Sequence, residues 1–90
     1  MTYISNPEIT FLKRSLGGAT VIYRLLRSSS ERGGFFILLT SVRGDTVEDA
    51  FIPYVSERAA DAEKVFRFLA ENEVTPCTVF EILDDYFSIL

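Results

Sequence analysis

The reactive side chains of this sequence are one cysteine, a group of carboxylates near the C-terminus and several arginines. There is no histidine, and Cys77 is the single cysteine. Histidine is the commonest general base near neutral pH and the commonest metal ligand. Neither a serine-histidine nor a cysteine-histidine pair can therefore form, and a zinc site within one chain is disfavoured. We expect a non-enzymatic protein with no metal and no cofactor.

Two pairs of carboxylates are candidate cation ligands. Asp84 and Asp85 are adjacent in a segment of helical periodicity, so they point about 100° apart and do not form a dyad. Glu81 and Asp85 are four residues apart and share a helix face, where they could hold a divalent cation with help from another element. The simpler interpretation, which we favour, is a solvated acidic stripe.

Cys77 follows Pro76 at a predicted helix start, where the pKa of a thiol is lowered and its reactivity raised. A redox role is one interpretation, and a partly buried, inert thiol is the one we favour. The pairs Gly17-Gly18 and Gly33-Gly34 lie between strand-like segments. They indicate turns, because a phosphate-binding loop would place its glycines at the opening of a helix.

Charge is distributed unevenly along the chain. Residues 1–44 carry six basic and two acidic side chains, whereas residues 45–90 carry three basic and eleven acidic ones, for a net charge of −4. Mutual neutralisation in one domain is the simpler interpretation, and an acidic helical face for a basic partner is the alternative. Arg24 and Arg27 with Tyr23 and Phe35 suggest a surface for single-stranded nucleic acid. We do not expect nucleic-acid binding, because Tyr23 points away from Arg24 in a regular strand.

These residues are positioned by strands in the first half and helices in the second. Turn residues and β-branched or aromatic runs predict strands over 8–16, 19–27, 35–42 and 46–55. The connections are too short for crossovers, so neighbouring strands should be antiparallel. Ser56 predicts the N-cap of a helix reaching Asn72, and Thr75-Pro76 predicts the start of a second one.

The predicted fold is therefore α+β, with a single domain over residues 1–90. A three- or four-stranded antiparallel meander should be followed by two C-terminal helices packed on the sheet. The longest apolar run is Phe35–Leu39, far short of the roughly 20 residues that cross a bilayer. The N-terminus carries no secretion signal, and a lone cysteine fits a reducing compartment. We expect a cytoplasmic protein that does not enter membranes.

The helical end resembles a known family. Residues 74–87, VTPCTVFEILDDYF, are similar to small uncharacterised proteins of clostridia-like Gram-positive bacteria. Members of this domain family of unknown function share a V-T-P joint and an acidic, aromatic C-terminal helix. Cys77 and Thr78 depart from the apolar residues expected after the proline. The family has no assigned activity, so the resemblance implies no catalytic residues.

The two central predicted strands are apolar on both faces. On the first of them, one face carries Val21, Tyr23 and Leu25 and the other Ile22, Arg24 and Leu26. On the second, one face carries Phe35, Ile37 and Leu39 and the other Phe36, Leu38 and Val42. An antiparallel sheet with one wet face would alternate apolar and polar residues. The second face therefore needs a cover, either from helices on both sides of the sheet or from a second copy of the chain.

We expect a small interaction or regulatory module that forms a homodimer. Its predicted interaction surface comprises Ile22, Arg24, Leu26, Phe36 and Leu38. The alternative is a small-molecule binding domain with an apolar pocket between sheet and helices. In that case Arg24 or Arg27 would anchor an anionic group of the ligand.

Overall fold

Four consecutive strands form one antiparallel sheet, and two helices follow it. The structure is a computed structural model that describes residues 8–28 and 33–88. The strands are β1 (Glu8–Leu16), β2 (Ala19–Arg27), β3 (Phe35–Arg43) and β4 (Thr46–Ser56), and the helices are α1 (Ala59–Glu71) and α2 (Val79–Ser88). The strand order is β1-β2-β3-β4, with every neighbouring pair antiparallel. The predicted α+β meander is confirmed.

Tight turns join the two outer hairpins. Gly17 and Gly18 link β1 to β2 with φ values of +54° and +91°, which suit the twist of a two-residue hairpin. Gly44, at φ +58°, opens the turn from β3 to β4. Arg43 Nη1 donates a hydrogen bond of 2.9 Å to the carbonyl of Gly17. This bond ties the two turns together at one end of the sheet.

Both helices cover the same face of the sheet, which we call the inner face. Its buried strand residues form one cluster with buried residues of α1 and with Val79 and Leu83 of α2. The strand members are Val21, Tyr23, Leu25, Phe35, Ile37, Leu39, Ala50 and Ile52. The α1 members are Ala62, Val65, Phe66, Leu69 and Ala70. The alternative of one helix on each side of the sheet is therefore not what the chain adopts.

The start of α1 differs from the prediction. Arg58 is the N-cap, with extended backbone (φ −100°, ψ 130°) and no side-chain hydrogen bond to the helix. Ser56 Oγ accepts a hydrogen bond of 3.0 Å from the amide of Arg58, which precedes the helix. Ser56 therefore does not cap an amide of α1 itself. The reason is strand pairing: Ser56 pairs with Phe35, which extends β4 and delays the helix.

The joint before α2 is longer than predicted. Residues 75–78 form a turn, in which the amide of Thr78 donates a hydrogen bond of 3.1 Å to the carbonyl of Thr75. The Thr78 carbonyl then accepts the amide of Ile82, so α2 begins at Val79 and not at Pro76. Cys77 lies in this turn and is exposed, which corrects the expectation of a partly buried thiol.

A left-handed residue ends α1. Asn72 is the C-cap, and Glu73 follows with φ 54°. The amide of Glu73 donates to the carbonyl of Ala70, and the amide of Val74 donates to the carbonyl of Leu69. This pair of bonds is the Schellman motif, which satisfies the last carbonyls of a helix. It turns the chain back so that Val74, 1% exposed, enters the core.

Candidate interaction surface

The side of the sheet opposite the helices, which we call the outer face, follows from strand alternation and register. Residues beside the buried inner positions point the other way, because successive side chains alternate across a strand. Pairing aligns them in rows across the four strands. One row contains Phe11, Arg24, Leu38 and Phe51, and the next contains Lys13, Ile22, Thr40 and Asp49. A third contains Ser15, Thr20, Val42 and Val47.

The structure brings the five predicted surface residues together on this face. Ile22, Arg24, Leu26 and Leu38 are half-buried, because each lies on a central strand flanked by neighbours. Phe36 is only 9% exposed, and its ring meets the ring of Phe51 edge-on at 5.0 Å. Phe36 is therefore almost fully covered by its neighbours, so it packs beneath the exposed side chains of this face and contributes little surface of its own.

The most exposed apolar side chains of the outer face lie on the edge strands. Phe11 and Phe51 are each 50% exposed, and Val47 is 58% exposed. These residues lie outside the surface predicted from the sequence, which comprised residues of the two central strands only. The available signal was the period of two in β4, where exposed Phe51 lies between buried Ala50 and Ile52.

The charges of this face lie mostly at opposite edges of one row. Lys13 is exposed on β1, and Asp49 is exposed on β4. Thr40 Oγ1 donates a hydrogen bond of 2.8 Å to Asp49 Oδ1, which orients the carboxylate over the sheet. Arg24 is also charged and is half-buried between Phe11 and Leu38. The face is thus an apolar strip interrupted by Arg24, with a cation near one edge and an anion near the other.

Tyr23 and Arg24, two residues of the candidate nucleic-acid surface, lie on opposite faces of the sheet. Tyr23 is 0% exposed on the inner face, and its hydroxyl donates to the carbonyl of Val74 at 2.8 Å. Phe35 is also on the inner face, with the Arg27 guanidinium 5.7 Å from its ring centroid. Bases cannot stack on buried rings, so Tyr23 and Phe35 do not provide the aromatic surface that this interpretation requires.

The acidic stripe stays on the solvent side of α2. Glu81, Asp84 and Asp85 are exposed. Within residues 8–28 and 33–88, no three histidine, cysteine, aspartate or glutamate side chains are grouped so that they could hold a metal ion. In the same part of the chain, no helix is both long and apolar enough to cross a membrane.

A cleft of about 370 Å³ opens where the end of β4 meets the two helices. Its lining is mainly apolar or aromatic, with one acid and one base: Val55, Ser56, Asp61, Lys64, Val65, Tyr86 and Phe87. Neither Arg24 nor Arg27 lines it. Arg24 lies on the outer face and cannot anchor a ligand between sheet and helices.

Comparison with known proteins identifies a family and no function. The model of a family described as "Family of unknown function (DUF6514)" matches residues 17–88, from the first turn to the end of α2. No curated protein and no solved structure matches the chain. The matched range includes β2 to β4 and both helices, and therefore most of the outer face.

Proposed function

We propose that this chain, which belongs to the family of unknown function DUF6514, is a non-enzymatic interaction module that forms a homodimer through the outer face of its sheet. The observation that carries the proposal is the placement of both helices on the inner face. Phe11, Val47 and Phe51 are left at least half exposed on the opposite side. Contiguous apolar surface of this kind marks an interaction site.

The size of the outer face suits a dimer. Four strands, each occupying a width of about 4.8 Å, cover about 19 Å, and a strand of nine residues is about 30 Å long. Two such faces in contact would bury about 1,100 Å² in total, without counting the extra area that the uneven surface of the side chains adds. A specific interface needs at least about 1,000 Å² in total. The whole face must therefore take part, and a two-fold arrangement lets the same patch serve both protomers.

The non-enzymatic part of the proposal rests on the residue types. The sequence has no histidine, so it lacks the usual general base and, with it, the usual activator of a serine or cysteine nucleophile. A bacterial origin and a cytoplasmic location belong to the same proposal. They are supported by the lone cysteine and by the resemblance of the V-T-P joint and acidic last helix.

Sedimentation equilibrium of the full chain at micromolar concentration tests the dimer. The wild type should sediment at twice the chain mass of 10.2 kDa. Phe51→Asp and Val47→Asp place a charge on the outer face and should shift the protein to monomer, because an unpaired buried charge is strongly unfavourable. Phe51 also contacts Phe36. The Phe51 variant could therefore also weaken the fold. Val47 is more exposed, so dissociation of its variant can be attributed to the interface and not to a folding defect.

Phe80→Asp is the matched control. Phe80 is 56% exposed, close to the 50% of Phe51, but it lies on α2. This variant should remain a dimer, and thermal unfolding monitored by circular dichroism should show that all the variants fold. A monomeric wild type would refute the proposal. So would dissociation by Phe80→Asp with none by the two sheet variants.

A small-molecule site is the second candidate, and the cleft beside α1 favours it. Its volume of about 370 Å³ falls in the range of small-ligand pockets, about 300–1,000 Å³. Lys64 would pair with an anionic group while Val65 and Tyr86 contact the apolar part. Benzoate is a suitable probe, and it should raise the melting temperature of the wild type but not of Lys64→Ala. Equal shifts in both proteins, or none in either, would exclude this candidate.

A further inference from the structure

We infer that the two-fold axis of the dimer runs along the strands, between β2 and β3, so that Lys13 of each protomer lies opposite the partner's Asp49. This inference rests on the proposed dimer and adds the orientation in which the two copies meet. The observation behind it is that one row across the outer face begins with Lys13 and ends with Asp49, with Ile22 and Thr40 between them.

The two charges cannot pair within one chain. Lys13 is on β1 and Asp49 on β4, the two edges of the sheet. Three strand spacings of about 4.8 Å separate their backbones by about 14 Å. A salt bridge requires the charged atoms within about 4 Å. Each charge is therefore held near an edge of the apolar strip, where a partner can reach it.

Symmetry decides which residues meet. A two-fold axis along the strands carries β1 over the partner's β4 and leaves each row facing the same row. Lys13 then faces the partner's Asp49 at both ends of the row. An axis across the strands instead places each edge strand over the same edge strand of the partner. Lys13 then lies near the partner's β1, which carries the second Lys13, and Asp49 lies near the partner's β4, which carries the second Asp49. Like charges at an interface oppose association, so the charges favour the axis along the strands.

The neighbouring row is compatible with this orientation. It contains Phe11 and Phe51 at its ends and Arg24 and Leu38 in the middle. The same axis places Phe11 over the partner's Phe51, which gives one aromatic contact at each end of the row. Arg24 then lies over the partner's Leu38, whereas an axis across the strands would carry it over the partner's β2, which holds a second Arg24, so this row favours the same axis.

Zero-length cross-linking with a carbodiimide tests the orientation in the full-length protein. The chain has only two lysines, Lys13 and Lys64. We expect a covalent dimer in which peptide mapping finds Lys13 joined to Asp49. A mixture of ¹⁵N-labelled and unlabelled protein should show that the link joins two chains. Lys13→Arg keeps the charge but loses the reactive amine and should abolish this link, whereas Lys64→Arg should leave it in place.

Charge reversal gives an independent measurement. Lys13→Glu or Asp49→Lys alone should raise the dimer dissociation constant about ten-fold, because each affects two symmetric pairs. The double exchange should restore it to near the wild-type value. If the wild type is dimeric but neither the link nor the single-variant effect appears, the orientation is wrong and the dimer stands. If the wild type is monomeric, both proposals fail.

Discussion

The hydroxyl of Tyr23 donates a 2.8 Å hydrogen bond to the carbonyl of Val74, which is 51 residues away along the chain. Tyr23 lies in the middle of β2, and Val74 follows the left-handed residue that ends α1. Both residues are at most 1% exposed. The bond therefore fastens the joint between the two helices to the centre of the sheet.

Replacing Tyr23 with phenylalanine should destabilise the fold by about 1–3 kcal/mol, since it leaves the buried carbonyl of Val74 without this partner. Urea unfolding followed by circular dichroism measures the difference. Tyr54→Phe is the control, because Tyr54 is 58% exposed and the loss of its hydroxyl leaves no buried polar group without a hydrogen-bond partner. It should change stability by less than about 0.5 kcal/mol. Equal effects in the two variants would contradict the assigned role of the Tyr23 bond.

Stability should also fall in alkali because of the same residue. Burial raises the pKa of Tyr23 above its ordinary value of 10.0, with smaller and opposing influences from Arg14, which lowers it, and Glu73, which raises it. The folded chain thus keeps this proton to higher pH than the unfolded chain. The contribution of Tyr23 is complete below about pH 10 and is lost as pH rises through the raised pKa.

The Tyr23→Phe variant isolates this effect. Unfolding free energies of the wild type and the variant should differ by a constant amount from pH 7 to about pH 9 and converge above about pH 10. The rest of the chain is identical in the two proteins, so its response to pH cancels in the difference. Parallel stability curves up to pH 11 would show that the Tyr23 hydroxyl does not titrate in this way.

Glu73→Gly should stabilise the chain by about 0.5–1 kcal/mol. Glu73 has φ 54°, in the left-handed region that costs a side chain free energy and costs glycine almost none. Thermal and urea unfolding measure the gain. Glu73→Ala removes the same carboxylate but keeps the Cβ atom, so it should give no comparable gain. If alanine stabilised as much as glycine, removal of the charge and not relief of the backbone would be responsible.

Gly34→Ala should destabilise the fold more than Gly33→Ala. Both glycines have positive φ, at +97° and +72°, so each alanine incurs backbone strain of about 1 kcal/mol. Only at Gly34 would the added Cβ lie 2.9 Å from Tyr54 Cε1, whereas at Gly33 nothing lies within 4 Å. The combined cost at Gly34 should be about 2–3 kcal/mol. Tyr54→Ala in the same chain should remove the excess over Gly33→Ala, and failure to do so would show that the ring is not the obstacle.

Local patterns in the sequence predicted most of the fold. Strands β1 and β2 begin and end at the predicted residues, and β3 and β4 are each one residue longer than expected. The inner set of the central strands, such as Tyr23 and Leu39, is buried as alternation requires. These features follow from periodicity and turn residues, which act over a few positions. The start of α1 was not predictable in this way, because pairing of Ser56 with Phe35 extends β4.

The candidate site was only partly visible in the sequence. Two-sided apolar strands indicated that a second face needs a cover, and the five residues assigned to that face do lie on it. Periodicity shows that an element has an apolar face but not which side of a sheet it will pack on. Only the tertiary structure placed both helices on the inner face and aligned Lys13 with Asp49, since both depend on register and on contacts between residues far apart in the chain.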